Sequence, residues 1–219
     1  MKLIIIMVGI FSTFSLFAEQ VGTWTASPEF LRLKVYGVYA STSNDCSNLQ
    51  TIFSSETAEE VNFLDAPNLG SGIIPSGTYP CVLIEMSSQI TYASDADSPN
   101  GACGEGTENT LTVCQTGNTT TLADGTVNNC LDDTDVKVAL YLNTIAASDG
   151  SDSHNQDVWN KPTSTTDTTK GFTLQQALVV SLEASGQFDV NGSNKVMEWN
   201  NNGTTECEFQ PPLFSFSQN

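Results

Sequence analysis

An alternation of apolar and polar residues with a period of two is the feature of this 219-residue sequence that most constrains its fold. Within 30–39, Leu31, Leu33 and Val35 alternate with more polar neighbours, which places one apolar row on a single face of a β-strand. Clusters of Gly, Asn, Ser and Asp separate this segment from others of the same kind, and such clusters are typical of turns. We therefore expect an all-β fold, a sandwich or a barrel. The other segments predicted as strands are 50–53, 61–64, 79–92, 110–114, 135–143, 187–190, 195–199 and 213–216.

One segment, 173–185, fits two interpretations. Thr173 and Gln176 have the spacing of a helix capping box, and the apolar residues that follow recur at helical spacing. Val179 and Val180 are β-branched and instead favour a strand. We favour strands here.

Residues 1–18 have the layout of a secretory signal peptide. Lys2 precedes the largely apolar stretch 3–16, and a Leu-Phe-Ala sequence ends just before Glu19. A membrane anchor is the alternative, but the apolar stretch is shorter than the ~20 residues that span a bilayer. No later segment is long and apolar enough to do so. We expect a secreted or periplasmic chain that folds as one domain over 19–219 and has no membrane span once mature.

The sequence is strongly acidic, with 25 Asp and Glu against 7 Lys and Arg and a formal net charge of −18. A surface of this charge repels phosphate backbones and anionic membranes. We therefore expect no nucleic-acid partner, and an extracellular protein or a glycan remains as the partner class.

An even number of cysteines in an exported chain predicts disulfide bonds. No CxxC pair is present, which disfavours a zinc site. The six residues permit 15 connectivities. We favour the pairing of Cys46 with Cys81, because both flank the first long pair of strands. The candidates are Cys46, Cys81, Cys103, Cys114, Cys130 and Cys207.

Two acidic segments offer the oxygen-rich composition that calcium prefers. Asp95 and Asp97 lie in one of them, and Asp149 and Asp152 lie in the other. Neither has the terminal Glu of a complete calcium-binding loop. We expect either no cofactor or Ca²⁺ at one of these pairs; solvated acidic loops are the alternative.

Trp159 is a candidate ligand contact. It lies in 147–170, which with 94–109 is one of two long polar segments predicted as surface loops. An aromatic ring in such a loop can stack on a sugar. The alternative is that Trp159 anchors the loop on the core.

The sequence contains few candidates for catalytic residues. His154 is the only histidine, it stands in a stretch without apolar support, and no GxSxG motif accompanies it. Paired carboxylates for hydrolysis would have to come from acidic residues on predicted strands, whose alternative role is to face solvent. These are Glu85, Glu198, Glu206 and Glu208.

The order of segments 31–35, 61–64, 74–82 and 186–190, with Pro-Ser-Gly-Thr-Tyr in the third, resembles secreted bacterial β-sandwich domains of the carboxypeptidase-regulatory or transthyretin-like type. In those domains a Pro-x-Gly-x-Tyr turn leads into a central strand. The resemblance implies an antiparallel Greek-key β-sandwich, immunoglobulin- or transthyretin-like, here with long disulfide-stapled loops.

The function expected from these features is a secreted, non-enzymatic binding or surface-structural module of unknown ligand. The alternative is an extracellular hydrolase that uses paired carboxylates on polysaccharide or peptide. Two carboxylates of the predicted strands sharing one cleft would favour the hydrolase.

Overall fold

A computed structural model of the protein describes residues 24–65, 73–131, 134–147, 159–181, 186–201 and 203–218. These residues form strands joined by turns and loops, with 3-10 geometry at 63–65 and at Trp159, and none of them is in an α-helix, so the predicted all-β class is confirmed. The signal peptide predicted for 1–18 lies outside the described residues. In chain order the elements are β1 (Thr25–Ala26), β2 (Pro28–Ser41), β3 (Gln50–Asn62), the 3-10 turn (Phe63–Asp65), β4 (Gly77–Tyr79), β5 (Cys81–Ser87), β6 (Gln89–Ser94), β7 (Asn109–Thr112), β8 (Thr119–Thr121), β9 (Val127–Asn129), β10 (Lys137–Asn143), β11 (Phe172–Thr173), β12 (Leu178–Val180), β13 (Gly186–Asn191), β14 (Val196–Asn201), β15 (Thr204–Phe209) and β16 (Leu213–Gln218).

The main sheet has seven strands and is built around β2. One edge of β2 pairs with β3, and the other edge pairs with β5 along one half and with β6 along the other half. β10 then continues the sheet beside β5, and β7 continues it beside β6. All of these pairs are antiparallel, whereas β11 joins β10 as a parallel strand.

The segment 79–92, predicted as one long central strand, is central but interrupted. Pro80 and Ser88 divide it into β4, β5 and β6. Proline has no N–H to donate to a ladder. Ser88 donates its N–H to Val136 O at 2.8 Å and accepts from Val113 N at 2.8 Å, so it links the end of β7 to the start of β10 instead of continuing the ladder with β2.

A second layer made by the C-terminal strands covers the inner face of the main sheet. It comprises the sheet β1–β14–β15 and the antiparallel pair β13–β16. Aromatic rings fill the space between the layers: the ring centroids of Tyr92 and Phe209 are 5.3 Å apart, and those of Phe172 and Phe214 are 6.5 Å apart. The fold is therefore sandwich-like, and the Greek-key connection stays a prediction.

The outer face of the main sheet has a smaller apolar cluster of its own, which includes Leu83, Leu122 and Tyr141. The β8–β9 hairpin contributes to this cluster, and Tyr141 Oη donates a hydrogen bond of 2.6 Å to Thr121 O at its tip. The hairpin covers only part of this face.

Strands were favoured over a helix for 173–185, and the described residues confirm that choice. Residues 172–173 form β11 and residues 178–180 form β12, which pairs with β4. Leu174 follows β11 directly, and its N–H donates to Asn143 O at 2.9 Å. The chain after β11 therefore stays beside the end of β10. Residues 182–185 lie outside the described part of the chain.

All six cysteines are paired. The predicted bond between Cys46 and Cys81 is confirmed. Cys103 pairs with Cys207 across 104 residues, and Cys114 pairs with Cys130 beside the β8–β9 hairpin. Three disulfides indicate a protein that folds outside the reducing cytoplasm. Among the residues that the structure describes, no helix is long and apolar enough to cross a membrane.

Candidate functional site: a polar groove around Glu85

A polar groove with a volume of about 450 Å³ crosses the outer face of the main sheet, beside the β8–β9 hairpin. Strands β3, β2, β5 and β10 each contribute side chains to it, in their order across the sheet. The turn of the hairpin contributes the rest. The principal lining residues are Thr51, Ser54, Ser55 and Glu56 from β3, Tyr36 and Tyr39 from β2, Glu85 from β5, Lys137 from β10, and Ala123 and Asp124 from the turn.

Glu85 is the buried carboxylate of this groove, and only 4% of its surface is exposed. Its Oε1 accepts a hydrogen bond from Ala123 N at 2.9 Å. Its Oε2 accepts from Tyr39 Oη at 3.3 Å and lies 3.4 Å from Lys137 Nζ. A buried charge is tolerated when it is paired and hydrogen-bonded in this way.

Lys137, Tyr36 and Tyr39 bring a positive charge and two aromatic rings into the groove beside this carboxylate. Lys137 Nζ lies 5.0 Å from the centroid of the Tyr36 ring, a cation–π contact. Burial, and then the negative charge of Glu85 and the hydrogen bond to it, raise the pKa of Tyr39 to about 12. The Tyr39 hydroxyl therefore stays protonated at neutral pH and remains a donor.

Asp124 adds a second negative charge at the rim of the groove. Hydrogen bonds from the backbone and side chain of Thr126 lower the pKa of Asp124, so its carboxylate is ionised at neutral pH. Glu56 is an exposed acid on β3. The three acids outnumber the single lysine that lines the groove.

An irregularity between β2 and β3 shapes this site. Val35 pairs with Glu59 and Gly37 pairs with Ser54, so residues 55–58 bulge out opposite Tyr36. A side chain at Gly37 would also clash with Tyr39, because a Cβ atom there would lie 2.7 Å from Tyr39 Oη.

The four carboxylates that the sequence predicts as candidates for hydrolysis do not lie in one cleft. Glu85 lines the groove, whereas Glu198, Glu206 and Glu208 lie on β14 and β15 in the other layer. Glu198 accepts hydrogen bonds from Asn100 N at 3.1 Å and from Asn100 Nδ2, and these bonds attach the 95–108 loop to the second layer. Hydrogen bonds from Ser98 and Asn100 lower the pKa of Glu198.

Asp95 and Asp97, the first predicted calcium pair, bind backbone amides of the chain. Asp95 Oδ1 accepts from Ser27 N at 3.0 Å, and Asp97 Oδ1 accepts from Glu105 N at 2.8 Å. The described ranges contain no group of three or more His, Cys, Asp or Glu side chains that could hold a metal ion. Calcium binding at this pair stays a prediction.

The second calcium pair, Asp149 and Asp152, lies in 148–158, outside the described ranges, as does His154.

Trp159, the predicted ligand contact, is buried with 6% of its surface exposed. Its ring lies 4.8 Å from that of Phe172 in an edge-on arrangement. It therefore lies in the core on the inner side of the main sheet, away from the Glu85 groove. Ligand contact through Trp159 stays a prediction.

Of the lining residues, the sequence analysis proposed only Glu85; among those that it missed are Tyr36, Tyr39, Asp124 and Lys137. Tyr36 and Tyr39 are three positions apart, which puts them on opposite faces of a regular strand. Against β5, however, Val35 pairs with Met86 and Gly37 with Glu85, so Tyr36 is an extra residue in β2, and this bulge brings both tyrosines to the groove. A lone Glu85 within the apolar run 82–86 was a usable signal, because a carboxylate in a buried strand requires partners.

Comparison of the sequence with protein-family models, and of the chain with curated proteins and solved structures, finds no match. The fold and the groove define a disulfide-bonded, sandwich-like all-β domain with a polar groove on one sheet face.

Proposed function

We propose that this protein is a secreted, non-enzymatic binding module whose ligand is a glycan held in the Glu85 groove. The observation that carries the proposal is the buried Glu85 carboxylate beside an open groove lined by two tyrosines. Sugar-binding sites combine aromatic rings, which pack on the apolar face of a sugar, with carboxylates and hydroxyls that bond to its hydroxyl groups. The groove supplies both.

The charge of the groove supports a particular class of glycan. Glu56, Glu85 and Asp124 carry three negative charges, against one positive charge on Lys137. Acidic sugars are repelled by this balance, whereas neutral sugars and amino sugars are accepted. The net charge of −18 on the whole chain acts in the same direction.

The experiment is a titration of the purified protein with neutral, amino-substituted and acidic oligosaccharides, followed by calorimetry. We expect binding of the first two classes and none of the third. Tyr36→Ala removes one ring and Glu85→Gln removes the buried charge, and each is expected to weaken binding by about tenfold, the equivalent of one lost charged hydrogen bond or stacking contact. Glu108→Gln is the control, because Glu108 is an exposed acid outside the groove, paired with Arg32.

Two outcomes would contradict the proposal. The first is that no oligosaccharide binds at millimolar concentration. The second is that binding occurs but Tyr36→Ala and Glu85→Gln leave it unchanged, which would place the glycan elsewhere. Release of new reducing ends during the titration would instead favour the hydrolase alternative, with Asp124 or Glu56 as the second carboxylate.

A further inference from the structure

A second cavity lies on the opposite side of the main sheet from the Glu85 groove. Its volume is about 60 Å³, and it opens between the main sheet and the C-terminal layer. Leu33, Met86 and Leu140 from the sheet face Phe209 and Phe214 from the other layer across it. The cavity is thus part of the apolar core that reaches the surface.

The opening lies at β7, the edge of the sheet. Leu111 of β7 is partly exposed and Gln115, just beyond β7, is exposed, whereas most other lining residues are buried. Strand β7 pairs with β6 on one side, and among the described residues no strand pairs with its other side. A small molecule therefore has a route from solvent to the cavity.

Trp159 also lines this cavity, and its indole N–H has no acceptor within the part of the chain that the structure describes. The Nε1 atom is fully buried and has no hydrogen-bond partner among the described residues. A buried donor left unpaired costs about 1–3 kcal/mol, so native proteins rarely leave one. An acceptor atom bound in the cavity next to Trp159 would satisfy this donor.

A water molecule is a poor candidate for that acceptor. A buried water is held by about two to four polar groups. Among the described residues that line this cavity, the polar side chains besides Trp159 are Thr112 and Gln115, both on the side of the opening. An oxygen atom carried by an apolar molecule satisfies the indole N–H and also fills the apolar space.

The size of the cavity and the charge of its lining limit the class of molecule that can bind in it. Its volume is less than half of the ~150 Å³ apolar cavity that accommodates a benzene ring, so the end of a chain fits better than a ring. None of the described residues that line it is a lysine or an arginine, so a carboxylate would be buried there without a counter-charge from them. The acceptor must therefore be neutral.

We propose that this cavity binds the oxygen-bearing end of a short, neutral, aliphatic molecule, such as a ketone, aldehyde or ester, whose oxygen accepts a hydrogen bond from Trp159 Nε1. The binding is independent of the glycan groove, since the two sites lie on opposite faces of the sheet and share no residue.

The test uses 2-pentanone as the probe and the indole N–H signals of the protein as the reporter. The chain has three tryptophans, and Trp159→Phe identifies the signal of Trp159 by its disappearance. We expect a saturable downfield shift of the Trp159 signal alone, since a new hydrogen bond deshields its proton. Pentane, which lacks an acceptor, is expected to bind without that shift.

Two variants test whether the shift arises from binding in this cavity or from a nonspecific effect of the ketone on the protein. Leu111→Phe fills the opening and keeps the reporter, and it is expected to abolish the shift. Val127→Phe adds the same ring at an exposed position of β9 and is expected to leave the shift unchanged. Ligand-detected titration of Trp159→Phe should show binding of 2-pentanone weakened about two- to tenfold, the range expected for one hydrogen bond.

The proposal is overturned if 2-pentanone causes no saturable shift of the Trp159 signal, or if Leu111→Phe shifts as the unmodified protein does. A water contact to the indole proton that persists at saturating ketone also overturns it. Glu85→Gln should bind 2-pentanone normally, so a failure of the glycan proposal leaves this test intact.

Discussion

Burying the Glu85 carboxylate costs free energy, and the same side chain also links several elements of the fold. Its carboxylate lies in a strand whose residues are all buried, where an unpaired charge would destabilise the fold by several kcal/mol. Ala123, Tyr39 and Lys137 supply its partners from three different elements. The residue therefore connects β2, β5, β10 and the β8–β9 turn through one side chain.

Glu85→Gln should lower the pKa of Tyr39. Burial is the largest cause of the raised value of about 12 and would remain in the variant, but the charge of Glu85 would be gone. We expect the pKa of Tyr39 to fall below 12 and to stay above the ordinary tyrosine value of about 10. NMR titration of the tyrosine ring carbons measures it, with Glu108→Gln as the unchanged control. An unaltered Tyr39 titration in Glu85→Gln would contradict the contact.

At the residue scale, the sequence revealed Glu85 but not its surroundings. Its place among apolar neighbours was visible, yet the expected role was a solvent-facing strand position. Its burial depends on the β8–β9 hairpin, whose turn lies more than 35 residues further along the chain and contributes Ala123. Local alternation carries no information about such a distant contact.

At the scale of the elements, Ser88 divides one extended segment into two strands. Its Oγ accepts a hydrogen bond from Val136 N at 3.0 Å and donates one to Thr134 O at 3.3 Å. The side chain is fully buried. These bonds hold Ser88, the residue between β5 and β6, against the residues just before β10. Its backbone bond to Val113 holds it against the end of β7 as well.

Ser88→Ala should therefore destabilise the protein by about 1 kcal/mol, because it leaves the partly buried Val136 N without its acceptor. Urea denaturation measures the change. Ser193→Ala is the matched control, because Ser193 is exposed in the β13–β14 turn and its replacement should shift stability by less than about 0.5 kcal/mol. Equal effects of the two variants would mean that backbone bonds alone hold the break.

The sequence predicted most of the strands, but it missed β1, β8, β9 and β15, and it did not predict this division. The largely apolar run 81–86 and the alternating residues 89–92 are separated by two serines alone, so the pattern favours one strand. The break arises from Val113 and Val136, which approach Ser88 from other parts of the chain. Only Pro80, which lacks an N–H, could have been recognised in advance as an interruption.

At the scale of the whole molecule, the main sheet is covered by the C-terminal layer on one face and partly by the hairpin on the other. Tyr92 and Tyr141 lie on these two faces, and each is almost fully buried. Burial raises the pKa of both, as it does for Tyr39. The folded protein thus favours neutral tyrosines more strongly than the unfolded chain does.

The free energy of unfolding should consequently be insensitive to these groups below about pH 10, the pKa of a tyrosine in an unfolded chain. Above that pH the unfolded chain loses protons that the folded protein keeps, so stability should fall as pH rises. Each fully buried tyrosine contributes a slope of up to about 1.4 kcal/mol per pH unit.

Urea denaturation at intervals from pH 8 to pH 11 measures this decline. Tyr92→Phe, which removes one titrating group, should reduce the slope even if the loss of its hydrogen bond to Cys207 O lowers stability overall. A stability that stays level up to pH 11 would contradict the burial of these hydroxyls.

The all-β class could be predicted because a period of two is a local property of a strand. The membership of the two layers could not, since it depends on which strands pair over long separations, such as β1 with β14 within the second layer. The pairing of Cys46 with Cys81 was predictable because both residues flank neighbouring strands. Cys103 and Cys207 are 104 residues apart, and no local pattern connects them.

The bond between Cys103 and Cys207 also changes what a protease can do to this protein. It closes a covalent ring from 103 to 207. One cut in the backbone anywhere inside that ring produces two polypeptides that remain a single molecule until the disulfide is reduced. A nicked chain therefore keeps both of its layers tethered, and the damage becomes visible on a gel only after reduction.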